Sequence, residues 1–326
     1  MKPKFSIIKK SYVRVGFGAL LLILAWISFL LNMRFSEEFT GGVSITVATK
    51  LPDAQIKKEL GDYLTTQGYL NTNISTQIHE DTTSLSLKTQ VDNDEKVNIL
   101  SKDIQSFLIT NKYIASSKQI LEQSITGPSV GNYMQKSARN AIIVGVILMA
   151  IYMMFSFATI RKSIAPSVLA FVTVATMIFD VSMPAGAYGI WMWLDKTVMI
   201  DSVFIIALLT NMGYSINDTI IIFDRVRENV QNKGHQKGTL FGKLFEDSLR
   251  QTMRRSMGTV LAMFLVIVAM FILGQGSIRH FAFTIGMGVI FGSYSSIFIS
   301  APLAYILLGK YKKERKQMLE VKIEDL

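Results

Sequence analysis

The sequence predicts a polytopic α-helical membrane protein with six transmembrane helices and one small α/β domain between helices 1 and 2. Three observations predict it. Half of the 326 residues are hydrophobic, and they gather into six stretches of about the 20 residues that a helix needs to cross a bilayer. Lys and Arg gather on alternate connections between those stretches. One connection alone is long, and it carries the alternating patterns of strands.

The first stretch covers 14–33. It has a basic flank, but "FLLNMRFSEE" offers no small-x-small cleavage site, so it reads as a retained anchor. Residues 35–137 follow, nearly balanced in charge. "GVSITVAT" alternates with period two. "DAQIKKELGDYLTTQG" reads as a helix capped by Asp53 and ended at Gly68, with Ile56, Leu60, Tyr63 and Leu64 on one face. "NISTQIHE" and "TTSLSLKT" alternate and meet at Asp81 as a hairpin. "DEKVNILSKDIQSFLITNK" repeats apolar residues at helical spacing, and "ASSKQILEQSI" closes the set. Strand, helix, strand, strand, helix, strand is the order of a ferredoxin-like α/β sandwich. His79 falls in a strand without partner ligands, so no metal site is expected.

Two glycine-bearing segments join this domain to its flanking spans. Gly41 and Gly42 in "EFTGGV" let the chain turn out of the first span. Gly127, Pro128 and Gly131 in "TGPSVG" turn it into the second, with Pro128 stiffening the turn. Both segments are expected to serve as hinges.

The remaining stretches are 139–158, 165–194 (with a break expected at Pro184 and Gly186), 197–223, 256–274 and 279–308. The chain therefore divides into 1–34 (N-terminus and helix 1), 35–137 (the α/β domain), 138–308 (helices 2–6 with a loop at 224–255) and a basic tail at 309–326. Gly286, Gly288 and Gly292 in the last span permit close helix packing.

Basic residues set the orientation. Residues 1–14 carry five, the 159–164 turn two, the 224–255 segment eight and the tail from 310 six, whereas the opposite short loops carry Lys196 and Arg279. Both termini are thus expected in the cytosol, and the α/β domain is extracytoplasmic. The net charge of +10 is mostly this asymmetry. Basic residues are not interleaved with aromatics on a folded surface, so no nucleic-acid partner is expected. The chain has no cysteine, which excludes disulfides and thiolate metal sites. It has no G-x-x-x-x-G-K-[ST], no H-E-x-x-H and no nucleophile elbow. It is not expected to be an enzyme, and any work it does draws energy from elsewhere.

In "TNMGYSINDTIIIFDRVREN" (210–229) the apolar run of the fourth span passes through Asn217 and Asp218. An ionised carboxylate at the centre of a spanning helix costs about 2.5–3.5 kcal/mol on insertion scales. It persists if protonated, paired or facing a wet cavity. Burial favours its neutral form and a nearby cation its charged form, the balance a proton-coupled machine needs. The alternative is a structural carboxylate bonded to a neighbouring helix. Asp218 lies six residues before Asp224, about 9 Å inward at 1.5 Å per residue. The next span begins near Arg255, whose side chain either reaches Asp218 or anchors the helix end as Arg254 does. Asp180 in "TMIFDVSMP" is a second intramembrane acid, which either belongs to the same path or caps a broken helix near Pro184.

These segments resemble the SecF branch of the bacterial SecD/SecF family, itself related to resistance–nodulation–division exporters. "ALLTNMGYSINDTIIIFDRVREN" (207–229) looks like its signature. "EFTGGV" resembles D-F-T-G-G, "TGPSVGNYM" resembles G-P-x-V-G, "FDV" (179–181) resembles H-D-V, and "SLRQTMRRS" (248–256) resembles S-x-x-Q-T-x-x-R-T. "GSIRHFAFTIGMGVIFGSYSSIFISAPL" (276–303) resembles the final span. Glu38, Phe179, Ser256 and His280 depart from the family's residues at these places.

The resemblance implies a bacterial inner-membrane subunit that pairs with SecD. It implies use of the proton-motive force to help draw preproteins out after the SecYEG channel and the SecA motor, with protons as the coupling ion and no other cofactor. It also implies that Asp218 and Arg255 form the transport-critical pair, with Asn217 holding Asp218 at the SecD interface. The alternatives are a passive scaffold subunit and part of a resistance–nodulation–division type exporter. Such exporters usually carry two such bundles and two large outer domains in one chain.

Overall fold

The protein is described by a computed structural model over residues 6–49, 51–69, 73–79, 82–88, 94–157, 165–195, 198–233, 241–274 and 276–308. Two compact units emerge. One comprises Met1–Leu31, Ile142–Ile190 and Ile206–Leu326; the other comprises Asn32–Ala141 and Trp191–Ile205.

The second unit contains a four-stranded antiparallel sheet. Its strands are β1 (Gly42–Val47), β2 (Asn73–His79), β3 (Thr82–Lys88) and β4 (Ile120–Thr126), in the order β2-β3-β1-β4. Strand periodicity puts Val43, Ile45, Val47, Leu85 and Leu87 on one buried face. Two helices after α1 (Ser11–Asn32) and the short α2 (Glu37–Thr40) cover that face: α3 (Asp53–Thr66) and α4 (Asp94–Thr110). Ile56, Leu60 and Leu64 of α3 and Val97, Leu100, Ile104 and Leu108 of α4 pack there with the strands. Pro52, rather than Asp53, occupies the N-cap of α3, because its fixed φ suits a helix start. The turn at Asp81 lies outside the described residues.

The first unit is helical. Six helices among the described residues are long and apolar enough to cross a membrane. After α1 come α5 (Pro128–Ser156), α6 (Pro166–Leu194), α7 (Ser202–Lys233), α8 (Phe241–Leu273) and α9 (Ser277–Ser295). The last runs on through a π-helical stretch (Ser296–Ser300) into α10 (Ala301–Leu307). In α6 and in the last helix 67% of the apolar window is buried, against 11% in α1 and α8. The former pair therefore lies at the centre of its unit, and the latter presents apolar side chains outward.

Two expectations are corrected. The break expected at Pro184 and Gly186 is absent: α6 is continuous with Pro184 inside it. Proline removes one backbone donor, but packing holds the turn. Gly186 lies so close to α1 that an added Cβ would stand 2.5 Å from Ala25, and Ser28 Oγ donates to the Gly186 carbonyl at 3.0 Å. The loop expected at 224–255 is also largely helical. Of α7's 32 residues, spanning about 48 Å at 1.5 Å each, the last turns carry ion pairs Arg227–Asp224 and Arg225–Glu228 at i,i+3 spacing. α8 begins at Phe241, well before the apolar run. The tail from 309 lies outside the described residues.

Candidate functional site

The apolar stretch of α7 carries a buried polar stripe. Asn211, Ser215, Asp218 and Thr219 recur at helical spacing and are all buried. The glycines of α9 let it approach that stripe. A Cβ on Gly288 would fall 2.0 Å from the Asn211 side chain, and one on Gly292 would fall 3.1 Å from Ser215 Cβ. Asn211 Nδ2 donates to the Thr284 carbonyl at 3.0 Å. The close packing expected of these glycines is thus what seats α9 against α7.

Asp218 is 5% exposed. Its Oδ1 accepts from Ser256 Oγ of α8 at 3.1 Å, and its Oδ2 is buried without a hydrogen-bond partner among the described residues. Arg255, next to Ser256, is exposed, and among the described residues it forms no ion pair with Asp218. Asn217 and Arg254 are exposed too. The helices therefore bring Asp218 and the Arg255–Ser256 turn together, with the hydroxyl, not the guanidinium, in contact. A carboxylate with one oxygen still to be satisfied can take a proton, a water or a cation.

Asp180 sits on α6, 1% exposed. Ser215 Oγ of α7 donates to its Oδ2, and Ser295 Oγ of α9 lies 2.5 Å from its Oδ1. It does not cap a broken helix. Ser215, Ser256 and Ser295 escaped the sequence reading as site residues. A hydroxyl three residues before Asp218 on one helical face was the available signal for Ser215; nothing local marks the other two.

In the second unit the two segments expected as separate hinges meet in one packed joint. Gly41 (φ 79°) and Gly42 (φ 149°) adopt backbone that favours glycine. A Cβ on Gly41 would stand 3.3 Å from Pro128, and one on Gly131 would stand 2.9 Å from the Phe39 carbonyl. Gly131 N–H donates to the Gly127 carbonyl at 3.0 Å, and Gln135 Nε2 to the Phe39 carbonyl at 2.6 Å. Glu38 accepts the Ser202 N–H at 2.8 Å and its hydroxyl, at the start of α7. The side chain of His79 lies outside the described residues; among those, no group of acidic or histidine side chains could hold a metal.

The sequence pattern of the family described as protein export membrane protein SecD/SecF, C-terminal, matches residues 108–310, well over half of the chain. The chain belongs to the SecD/SecF family. It is similar to the protein translocase subunit SecF of Acidaminococcus fermentans, with 30% identity over 95% of this chain and 99% of that protein. It is also similar to the SecF of Sebaldella termitidis, with 30% identity over 86% of this chain and 83% of that protein. The crystal structure of SecDF from Thermus thermophilus, described as a translocon-associated membrane protein, shares the fold. It has a TM-score of 0.75 and 24% identity, over 94% of this chain and 39% of that chain. The chain thus spans about two-fifths of the SecDF chain it matches. With six apolar helices, this SecD/SecF family member is a multi-pass membrane protein.

Proposed function

We propose that the chain is the SecF-like subunit of a SecD–SecF complex in the bacterial inner membrane. It uses the proton-motive force to assist preprotein translocation through SecYEG after SecA. Asp218 takes up and releases the proton. Arg255 is its switching partner, and Asn217 faces SecD beside it. The βαββαβ unit is a ferredoxin-like domain on the extracytoplasmic side, both termini are cytosolic, and the joint around Gly41, Pro128 and Gly131 passes motion outward.

The observation that carries this reading is the half-satisfied carboxyl of Asp218. It is buried on a spanning helix, bonded through one oxygen to Ser256, with the exposed Arg255 adjacent. Family membership and the charge asymmetry of the connections support the assignment of partners and orientation. Moving one charge through the membrane potential supplies about 2.3 kcal/mol per 100 mV, so repeated strokes are needed for each preprotein.

The test is Asp218→Asn in membrane vesicles with an imposed proton gradient. The variant is expected to insert and to co-purify with SecD, yet to lose proton-dependent stimulation of secretion. Stimulation equal to wild type at equal protein level would leave a passive scaffold.

A further inference from the structure

We propose that Glu246 is a positioning residue: from the extension of α8 that precedes its apolar run, it fastens the start of the first spanning helix, and this strap holds α8 in the rotation that turns Ser256, and not Arg255, toward Asp218. The strap is built from hydrogen bonds. A helix start leaves its first backbone N–H groups without partners inside the helix. Ile8–Lys10 forms the tight turn that leads into α1. Glu246 Oε2 accepts the N–H groups of Ile7 at 2.8 Å and Ile8 at 3.1 Å, and the Ser6 hydroxyl at 3.2 Å. Ser6 Oγ in turn accepts the Lys9 N–H at 3.3 Å. Arg250, one turn further along α8, donates to the other carboxylate oxygen, Oε1, at 2.8 Å.

A helix is ordinarily capped by a residue beside it in the chain. Ser6 already does so for Lys9, yet the acceptor for Ile8 comes from 238 residues away. The cap therefore ties two helices together as well as ending one. A carboxylate suits that place, because unpaired N–H groups give a helix start partial positive charge. Apolar packing backs the bonds: Ile7 and Ile8 are buried in one cluster with Leu244 and Phe245 of α8 and Tyr305 of α10.

The strap bears on the site through the rotation of α8. Arg255 follows Glu246 by nine residues, two and a half turns at 3.6 residues each. It therefore leaves α8 on the side opposite Glu246, and with Glu246 held against the helix start Arg255 faces outward. Ser256, the next residue, then faces Asp218. A second fastening lies on another side of the same extension: Asn229 Nδ2 of α7 donates to Ser248 Oγ at 2.8 Å and to Gln251 Oε1 at 3.0 Å. Two fastenings fix the rotation, and one alone leaves a pivot. The consequence for proton coupling rests on the reading of Asp218 and Arg255 given above; the strap itself does not.

Thiol labelling of the full, Cys-free chain in lipid nanodiscs tests it. Thr252→Cys places a reporter on the buried face of α8, one turn before Ser256, and a water-soluble maleimide reads its exposure. Adding Glu246→Ala is expected to speed that labelling about tenfold, the shift in an opening equilibrium that the loss of a charge-assisted hydrogen bond permits. Glu246→Gln, whose amide oxygen still accepts N–H groups, is expected to restore slow labelling. Thr176→Cys, buried in α6, is expected to label slowly throughout. Unchanged labelling at 252, or an equal rise at 176, would overturn the strap. In membrane vesicles Glu246→Ala is expected to lower proton-dependent stimulation of secretion and Glu246→Gln to keep it; full stimulation despite faster labelling would overturn the positioning role. Labelling reads the strap whether or not Asp218 carries protons, so an Asp218→Asn variant with normal stimulation would remove the proton-site reading and leave the strap standing.

Discussion

Ser256 Oγ donates to Asp218 Oδ1 at 3.1 Å, while Arg255, the preceding residue of α8, faces outward. Neighbouring residues of a helix project about 100° apart, from 3.6 residues per turn. One turn of α8 thus offers Asp218 a hydroxyl or a guanidinium, according to the rotation of that helix. Ser256→Ala leaves both carboxyl oxygens of Asp218 without a donor among the described residues. Leaving a buried acceptor unsatisfied costs about 1–3 kcal/mol, so lower thermal stability and weaker secretion are expected, with Ser256→Thr restoring both. Wild-type behaviour of the Ala variant would remove Ser256 from the site.

Arg255 is expected to tolerate Lys poorly, because a planar fork and an ammonium do not satisfy a carboxylate in the same geometry. Arg254 is expected to tolerate it. Complementation by the two Lys variants, at matched protein levels, separates a switching residue from a helix-end anchor.

Gly186 and Gly18 both face other helices, but different atoms would meet a new methyl. On Gly186 it would stand 2.5 Å from Ala25 Cα; on Gly18 it would stand 2.7 Å from Ile299 Cδ1, the free end of a flexible side chain. Gly186→Ala is therefore expected to cost about 1–3 kcal/mol, as overpacking does. Gly18→Ala is expected to cost less. Thermal unfolding in detergent compares them.

Tyr113 Oη donates to Glu59 Oε2 at 2.5 Å in the α/β unit. Burial, then the bond to Glu59, pushes Tyr113 from 10.0 up to about 12, and that same bond, helped by Gln55, holds Glu59 below 4.5. The raised tyrosine lends stability that is whole below pH 10 and lost as pH rises through about 12. The lowered glutamate lends stability that is whole above 4.5 and lost as pH falls through its lowered value. Tyr113→Phe is expected to weaken both the alkaline loss and the acid one. An unchanged profile in a pH series of unfolding temperatures would refute the coupling.

The sequence by itself determined the elements. Apolar length marked six spanning helices, and alternation at "GVSITVAT" and "TTSLSLKT" marked strands, because burial on one face imposes a period on each element. Asp218 and Asp180 were legible singly, since a carboxyl in an apolar run is costly wherever the helix lies. Only the tertiary structure decided what those acids touch. Ser256 lies 38 residues from Asp218, and Ser295 lies 115 from Asp180; such pairs exist only once α7 packs on α8 and α6 packs on α9. It also decided that α6 runs through Pro184, where contact with Ala25 and Ser28 outweighs a lost backbone bond. Local preference sets where a helix can break, but close packing against a second helix sets whether it does.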